Sequence, residues 1–235
     1  MDIAANFSDK RQVAELMKPL WQPLRDEERQ QFVDALELFT FERNETVYRA
    51  GQEPQYIFYL LNGYVSIHFS EQQFASQVVR MVEPGALFGC QPAFSGSYYK
   101  YTAVARCRLC VAAVPLELVY HLIWENGSFA ILFVQNLSEL LGISVQRTVS
   151  LTQKRIRARL ADTLLAMANR YGLETDHQTI GVELSRNDLA QMSNMTTSNA
   201  IRTLSTFAQE GLVDIRGRKI GLLNESELRR ISIEG

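Results

Sequence analysis

The residues of this 235-residue chain best suited to chemistry are Thr196, Thr197, Ser198, Asn199 and Arg202. Hydroxyls and a carboxamide supply donors and acceptors that match base edges, and a guanidinium can pair with both major-groove acceptors of a guanine. Their spacing puts them near the start of a helix, largely off its apolar stripe of Ala200, Ile201, Leu204, Phe207 and Ala208. Thr196 or Thr197 can cap this helix, and Gly211 ends it. Upstream, Ser185 with Asp188 three positions later resembles a capping box and starts a shorter helix through Leu189, Ala190 and Met192. Ser193 and Asn194 break that helix. Downstream, LVDI alternates as a strand, and Arg216-Gly217-Arg218 turns it into KIGLL. Helix, break, helix and basic hairpin make a winged helix-turn-helix, which presents one helix end to the DNA major groove. Ser185, Arg186 and Asn187, at the first helix start, and Arg218 and Lys219, in the wing, are placed for phosphates.

These residues need a scaffold, and the chain is long enough for two domains. Lys and Arg number 24 against 26 Asp and Glu, so the whole is not a polycation. Residues 154–221 nevertheless hold 10 Lys/Arg against 7 Asp/Glu, which suits a reader with a few placed contacts. The N-terminal MDIAANFSDKRQ lacks a signal-peptide core, and no run is expected to approach membrane-spanning length, so a cytoplasmic location and no membrane partner are expected. Cys90, Cys107 and Cys110 are too few for a disulfide framework. Cys107-x-x-Cys110 could suggest a metal or redox site. In ARCRLCVAAV, read as a strand, the two thiols face opposite ways, so structural cysteines and no metal are expected.

Residues 10–39 are mostly helical in pattern, clearest in RDEERQQFVDALELF. From about Thr40 to Val114 short apolar runs alternate with turn signals, implying a small barrel or roll. Asn62-Gly63, between YIFYLL and YVSIHF, reads as a tight hairpin. Residues 128–153 form one long helix on which Val134, Leu137, Leu141, Ser144, Thr148 and Leu151 recur at heptad spacing, the pattern of a dimer seam. A helix over 154–171 follows. The expected fold is α+β: helices and a jelly-roll-like double-stranded β-roll in 1–125, a dimerisation helix in 126–153 and a winged helix-turn-helix in 154–235.

That layout resembles the CRP/FNR family of bacterial transcription regulators. The resemblance rests on LLNGYV, PGALFG, YTAVA, RLADTLLAMA and LSRNDLAQMSNMTTSNAIRTLSTFAQEGLV, in that order. It implies a homodimer on a near-palindromic duplex operator, contact with RNA polymerase, and an effector in the roll that repositions the reading helices. Arg202 matches the family's guanine-directed arginine. Ser198 stands where the family commonly has Glu, so a different operator is expected. Cyclic-nucleotide members carry Gly-Glu and then Arg-Ser or Arg-Thr around the phosphate. This chain has Gly89-Cys90-Gln91-Pro92, then Lys100-Tyr101-Thr102. The charge-assisted anchors are gone, so cyclic AMP is not expected. Ser144 and Thr148 sit where the family's long helix meets its ligand. An unidentified effector and a filled, ligand-free roll both remain open. No cysteine occurs before Cys90, which excludes the family's iron–sulfur site.

Two other classes of function fit the sequence less well. In a small-molecule or haem sensor acting chiefly through protein–protein contact the roll would matter most, and a haem would take its axial ligand from His68, His121 or His177, which lie in separate elements. Enzyme activity is not expected, because no nucleophile–base set, paired carboxylates or phosphate loop is legible.

Overall fold

The computed structural model describes Phe7, residues 9–69 and residues 77–234; of Leu151, the last seam position, the side chain lies outside the described residues. Two compact units divide between Leu141 and Gly142. The first opens with helices α1 (Lys10–Leu16), α2 (Lys18–Trp21) and α3 (Asp26–Ala35). Strands β1 (Glu37–Phe41), β2 (Thr46–Tyr48), β3 (Tyr56–Asn62), β4 (Val65–Phe69), β5 (Gln77–Val82), β6 (Leu87–Phe88), β7 (Thr102–Ala105) and β8 (Leu109–Pro115) follow, with α4 (Cys90–Ser95) between β6 and β7. Helix α5 (Leu116–Glu125) leads into α6 (Gly127–Gln153), which runs into the second unit.

The strands form two antiparallel sheets, ordered β1-β8-β3-β6 and β2-β7-β4-β5. Strands β3 and β8 are apolar on both faces because both faces are covered. Ile57, Tyr59, Ala112 and Val114 join the helices in one core. Phe58, Leu60, Leu109, Val111 and Ala113 point the other way and meet Val65, Ile67, Ala103 and Ala105 between the sheets. Small alanines there make room for four aromatic rings.

The Asn62-Gly63 turn is not a hairpin between paired strands. Strand β3 ends against β8, while β4 pairs with β7 and β5, so the chain changes sheets at this corner. Asn62 Oδ1 accepts the Cys110 N–H at 2.7 Å, which ties the corner to β8. Gly63 has φ 75°, and a Cβ there would lie 2.7 Å from Leu109 Cβ and 2.9 Å from Cys107 Sγ. The turn residues were legible, but the partner was set by tertiary pairing. Gly63→Ala is expected to lower stability by roughly 2–5 kcal/mol, combining left-handed strain with overpacking; urea unfolding measures it.

Two further expectations change. Helix α3 stops at Ala35, and Glu37–Phe41, which begins inside the LELF run, is strand β1, paired with β8. Cys107 lies in the bend before β8 and Cys110 inside it, so the pair does not share one strand. Both are free thiols, and no group of three or more potential metal-ligating side chains occurs among the described residues.

A buried polar knot joins α3 to the start of α6. Glu28 accepts from the Arg25 backbone N–H at 2.7 Å, from Arg25 Nε at 2.8 Å and from Asn126 Nδ2 at 2.8 Å. Asn126 Nδ2 also reaches the Pro23 carbonyl, and its Oδ1 accepts the Phe129 N–H at 3.1 Å. Burial pushes the Glu28 carboxyl up, but the hydrogen bonds from Arg25 and Asn126 outweigh it and hold the value below the ordinary range. The folded value is depressed, so the stabilisation is present above the unfolded value and is lost as pH falls through the folded one. Glu28→Gln is expected to cost about 1–3 kcal/mol at neutral pH. Thermal melts should show the gap from wild type closing at acid pH.

Helix α6 buries Phe129 and Phe133 in the roll's helical core. Beyond that anchor Val134, Leu137, Leu141, Val145 and Val149 are exposed along its length, with Ser144 and Thr148. The stretch Gly127–Gln146 is long and apolar enough to cross a membrane by length and composition, contrary to expectation. The reason is compositional: Glu139 is its only formal charge, although polar residues interrupt every apolar run.

The second unit continues from α6 into α7 (Ile156–Tyr171), α8 (Arg186–Met192), α9 (Thr197–Gln209), strands β9 (Val213–Arg216) and β10 (Lys219–Leu222), and α10 (Glu225–Glu234). Its core joins Leu160, Leu164, Leu189, Leu204, Phe207, Ile220 and Leu228. Helix α10 was not foreseen. Asn224 Oδ1 caps it by accepting the Glu227 N–H at 3.0 Å, and it packs on α7.

Candidate nucleic-acid interface

The two helix starts form as their capping residues dictate. Ser185 Oγ accepts the Asp188 N–H at 3.1 Å and donates to Asp188 Oδ2 at 2.6 Å, while the Ser185 N–H donates to the same oxygen. Thr196 Oγ1 accepts the Asn199 N–H at 3.2 Å. Between the helices Asn194 takes φ 48°, and the Met195 N–H returns to the Ala190 carbonyl. Ser193 Oγ donates to Thr163 Oγ1 at 2.8 Å, pinning the break to α7.

Ala200, Leu204 and Phe207 of α9 are buried, as a core stripe should be. Thr197, Ser198, Ile201, Arg202 and Ser205 are exposed. Ile201 departs from the expected stripe: it lies one position outside the buried arc and is 46% exposed. Arg202 is held rather than free, because its Nη2 donates to Asn199 Oδ1 at 3.0 Å, one turn back. Asn199 thus orients Arg202 instead of projecting independently. Thr197 Oγ1 lies 3.4 Å from Asn187 Oδ1 on α8, linking the exposed ends of the two helices.

Strands β9 and β10 pair antiparallel, with Arg216 opposite Lys219. Gly217, at φ 64°, makes the turn that the sequence placed there. Arg186 Nη2 donates to the Gly217 carbonyl at 3.0 Å, and the Leu184 N–H to the Arg218 carbonyl at 3.0 Å, so the wing is fastened to the start of α8. Arg218 is exposed beside that turn. Lys219 instead contacts both Glu174 oxygens, at 2.7 and 2.9 Å, and this pairing raises its pKa. Glu174 was missed from the sequence because it is 45 residues away from Lys219.

A sequence profile described as the cyclic nucleotide-binding domain matches residues 38–126, and one described as the Crp-like helix-turn-helix domain matches 158–231. The global nitrogen regulator of Nostoc sp. is 24% identical over 184 residues, covering 77% of this chain and 82% of that protein. The transcriptional regulator LdrP of Thermus thermophilus is 26% identical over 190 residues, covering 81% and 94%. The structure of FixK2 from Bradyrhizobium japonicum has the same fold, with a TM-score of 0.77, 20% identity and coverage of 85% and 98%. The chain belongs to the CRP/FNR family of transcription regulators.

As a CRP/FNR regulator it carries its DNA-binding helix-turn-helix in the second unit. In the roll, the segment 89–102, which the sequence sets against the family's nucleotide site, is partly buried and partly exposed. Gly89, Cys90 and Pro92 are buried, whereas Gln91 and Lys100 are exposed. Burial pushes the Cys90 thiol up to about 12, against a weak opposite pull from Arg80, so it stays protonated. Tyr101 packs in a tilted arrangement on Phe69, with ring centroids 5.9 Å apart, and Thr102 Oγ1 accepts the Ala50 N–H at 3.1 Å. The interior aromatics are others: Tyr99 stacks on Tyr48 with centroids 3.9 Å apart, and Phe58 stacks on Phe88 at 5.3 Å. Tyr99 OH donates to the Tyr56 carbonyl at 3.2 Å. Tyr48 carried no sequence signal beyond its place in TVYRAG, and Tyr99 belongs to the cluster Tyr98-Tyr99-Lys100-Tyr101, whose sequence shows aromatics but not which ring turns inward. Ser144 and Thr148 are exposed on α6, where Thr148 Oγ1 donates to the Ser144 carbonyl at 3.0 Å.

Proposed function

We propose that this CRP/FNR regulator acts as a homodimer that reads a near-palindromic duplex, each protomer entering one major groove with the start of α9. The observation that carries this reading is the exposed, Asn199-braced Arg202 beside Thr197 and Ser198. Bracing lowers the conformational freedom lost when the guanidinium meets a guanine. Thr196 accepts in its cap and keeps its O–H to donate to a phosphate, whereas the Ser185 O–H is already given to Asp188, so Ser185 acts by holding the start of α8. Arg186 and Arg218 flank the reading helix and neutralise phosphates, and the Asn187 carboxamide donates a hydrogen bond to one. Lys219 contributes less, because Glu174 already balances its charge. The protein works with RNA polymerase, and in the cytoplasm, where its DNA is.

The second copy covers the exposed apolar face of α6. A bilayer is a poor alternative occupant, because the same helix is anchored by Phe129 and Phe133 in the roll core and carries Gln135, Ser138 and Glu139 outward. Cyclic AMP is not the effector. Buried Tyr48, Phe58, Phe88 and Tyr99 fill space between the sheets, and no guanidinium stands at Lys100-Tyr101.

Selection of tight-binding duplexes from a random-sequence library tests the reading. The selected set should share a two-fold symmetric motif with half-sites about one helical turn apart. Binding with no shared motif would leave only charge-driven association and refute it.

A further inference from the structure

Ile201 is the one large apolar side chain of α9 that is exposed among the described residues, and it sits at the edge of the polar reading face, where that face meets the buried stripe. Ser198 precedes it by three positions, Arg202 follows it, and Ser205 lies one turn on; all three are exposed. Residues three and four apart are neighbours on a helix, so Ser198 adjoins both Ile201 and Arg202 and links them, about 100° apart, into one exposed surface. A single exposed isoleucine on an ordinary surface needs no explanation. On a face that meets base edges it must be matched, because an apolar group pressed against polar edges removes their water without replacing it.

We infer that Ile201 is a specificity-determining residue that packs against the C5-methyl group of a thymine next to the guanine addressed by Arg202. The methyl is the apolar feature of the major-groove edge of DNA, and T is the base that carries it. This rests on the proposed major-groove reading by α9. It also accounts for Ser198, which is nearly indiscriminate toward bases: discrimination at the neighbouring position passes to Ile201.

The test uses the full-length protein and the duplex that wild type selects from a random library. Each thymine of the half-site is replaced in turn by deoxyuridine, which keeps every hydrogen-bonding group and removes only the methyl. Wild type should lose affinity about fourfold per half-site at one position, and on the order of 15-fold when both halves are changed, the equivalent of one buried methyl group each. Ile201→Ala should be indifferent to the same replacement, while Arg202→Ala should keep the methyl dependence. Specific binding by wild type that ignores every thymine methyl overturns the inference and leaves the groove reading intact. A methyl effect that persists in Ile201→Ala also overturns it. Failure to select any shared motif overturns both.

Discussion

Arg202→Ala is expected to weaken binding to the selected operator by about 5- to 150-fold, equivalent to 1–3 kcal/mol, while binding to random DNA changes little. The guanidinium is exposed and its side chain is held by Asn199 on its own helix, so removing it leaves the fold of α9 untouched. The loss should be concentrated at one base pair per half-site, where the variant accepts substitutions that wild type rejects. Arg202→Lys should recover little, because a point charge cannot reproduce the fork that meets two acceptors. Asn199→Ala should cause a smaller loss with the same preference, since it frees the arginine without removing it. Fluorescence anisotropy against the operator, its single-base variants and a scrambled duplex measures all three. An equal loss on every duplex would make Arg202 a phosphate contact.

Leu141→Glu is expected to convert a dimer to a monomer and to lower operator affinity on the order of 100-fold or more, by removing the benefit of two linked half-sites. Leu141 is 66% exposed in the single chain and lies between Leu137 and Val145 on the apolar face of α6. A charge there must be desolvated if a second helix covers the face, but costs nothing on a helix left in water. Sedimentation equilibrium gives the mass, and anisotropy the affinity. Binding to an isolated half-site should be unchanged, because α9 and its core lie elsewhere in the chain. A wild-type protein that is already monomeric at micromolar concentration contradicts the prediction.

The local features were the most legible. Ser185 with Asp188, Thr196 and Gly217 act through their nearest neighbours, so caps and the wing turn could be placed from the sequence. The roll was legible as alternating strands but not as two sheets. Asn62-Gly63 looks the same whether the next strand pairs with the last one or leaves for another sheet; Cys110, 48 residues away, decides. Ile201 was misplaced because periodicity identifies a stripe but not its edge, and one step of a helix separates buried Ala200 from exposed Ile201. The partnership of Lys219 with Glu174 and the stacking of Tyr99 on Tyr48 join distant segments, and nothing local announces them.

The most direct test of the central claim is dimethyl sulfate protection on the selected duplex, which reports the major-groove N7 of each guanine. Two guanines related by the operator's symmetry should be shielded by wild type and become reactive again with Arg202→Ala. Bound protein that leaves every guanine N7 reactive, or protection that Arg202→Ala does not relieve, would contradict the account.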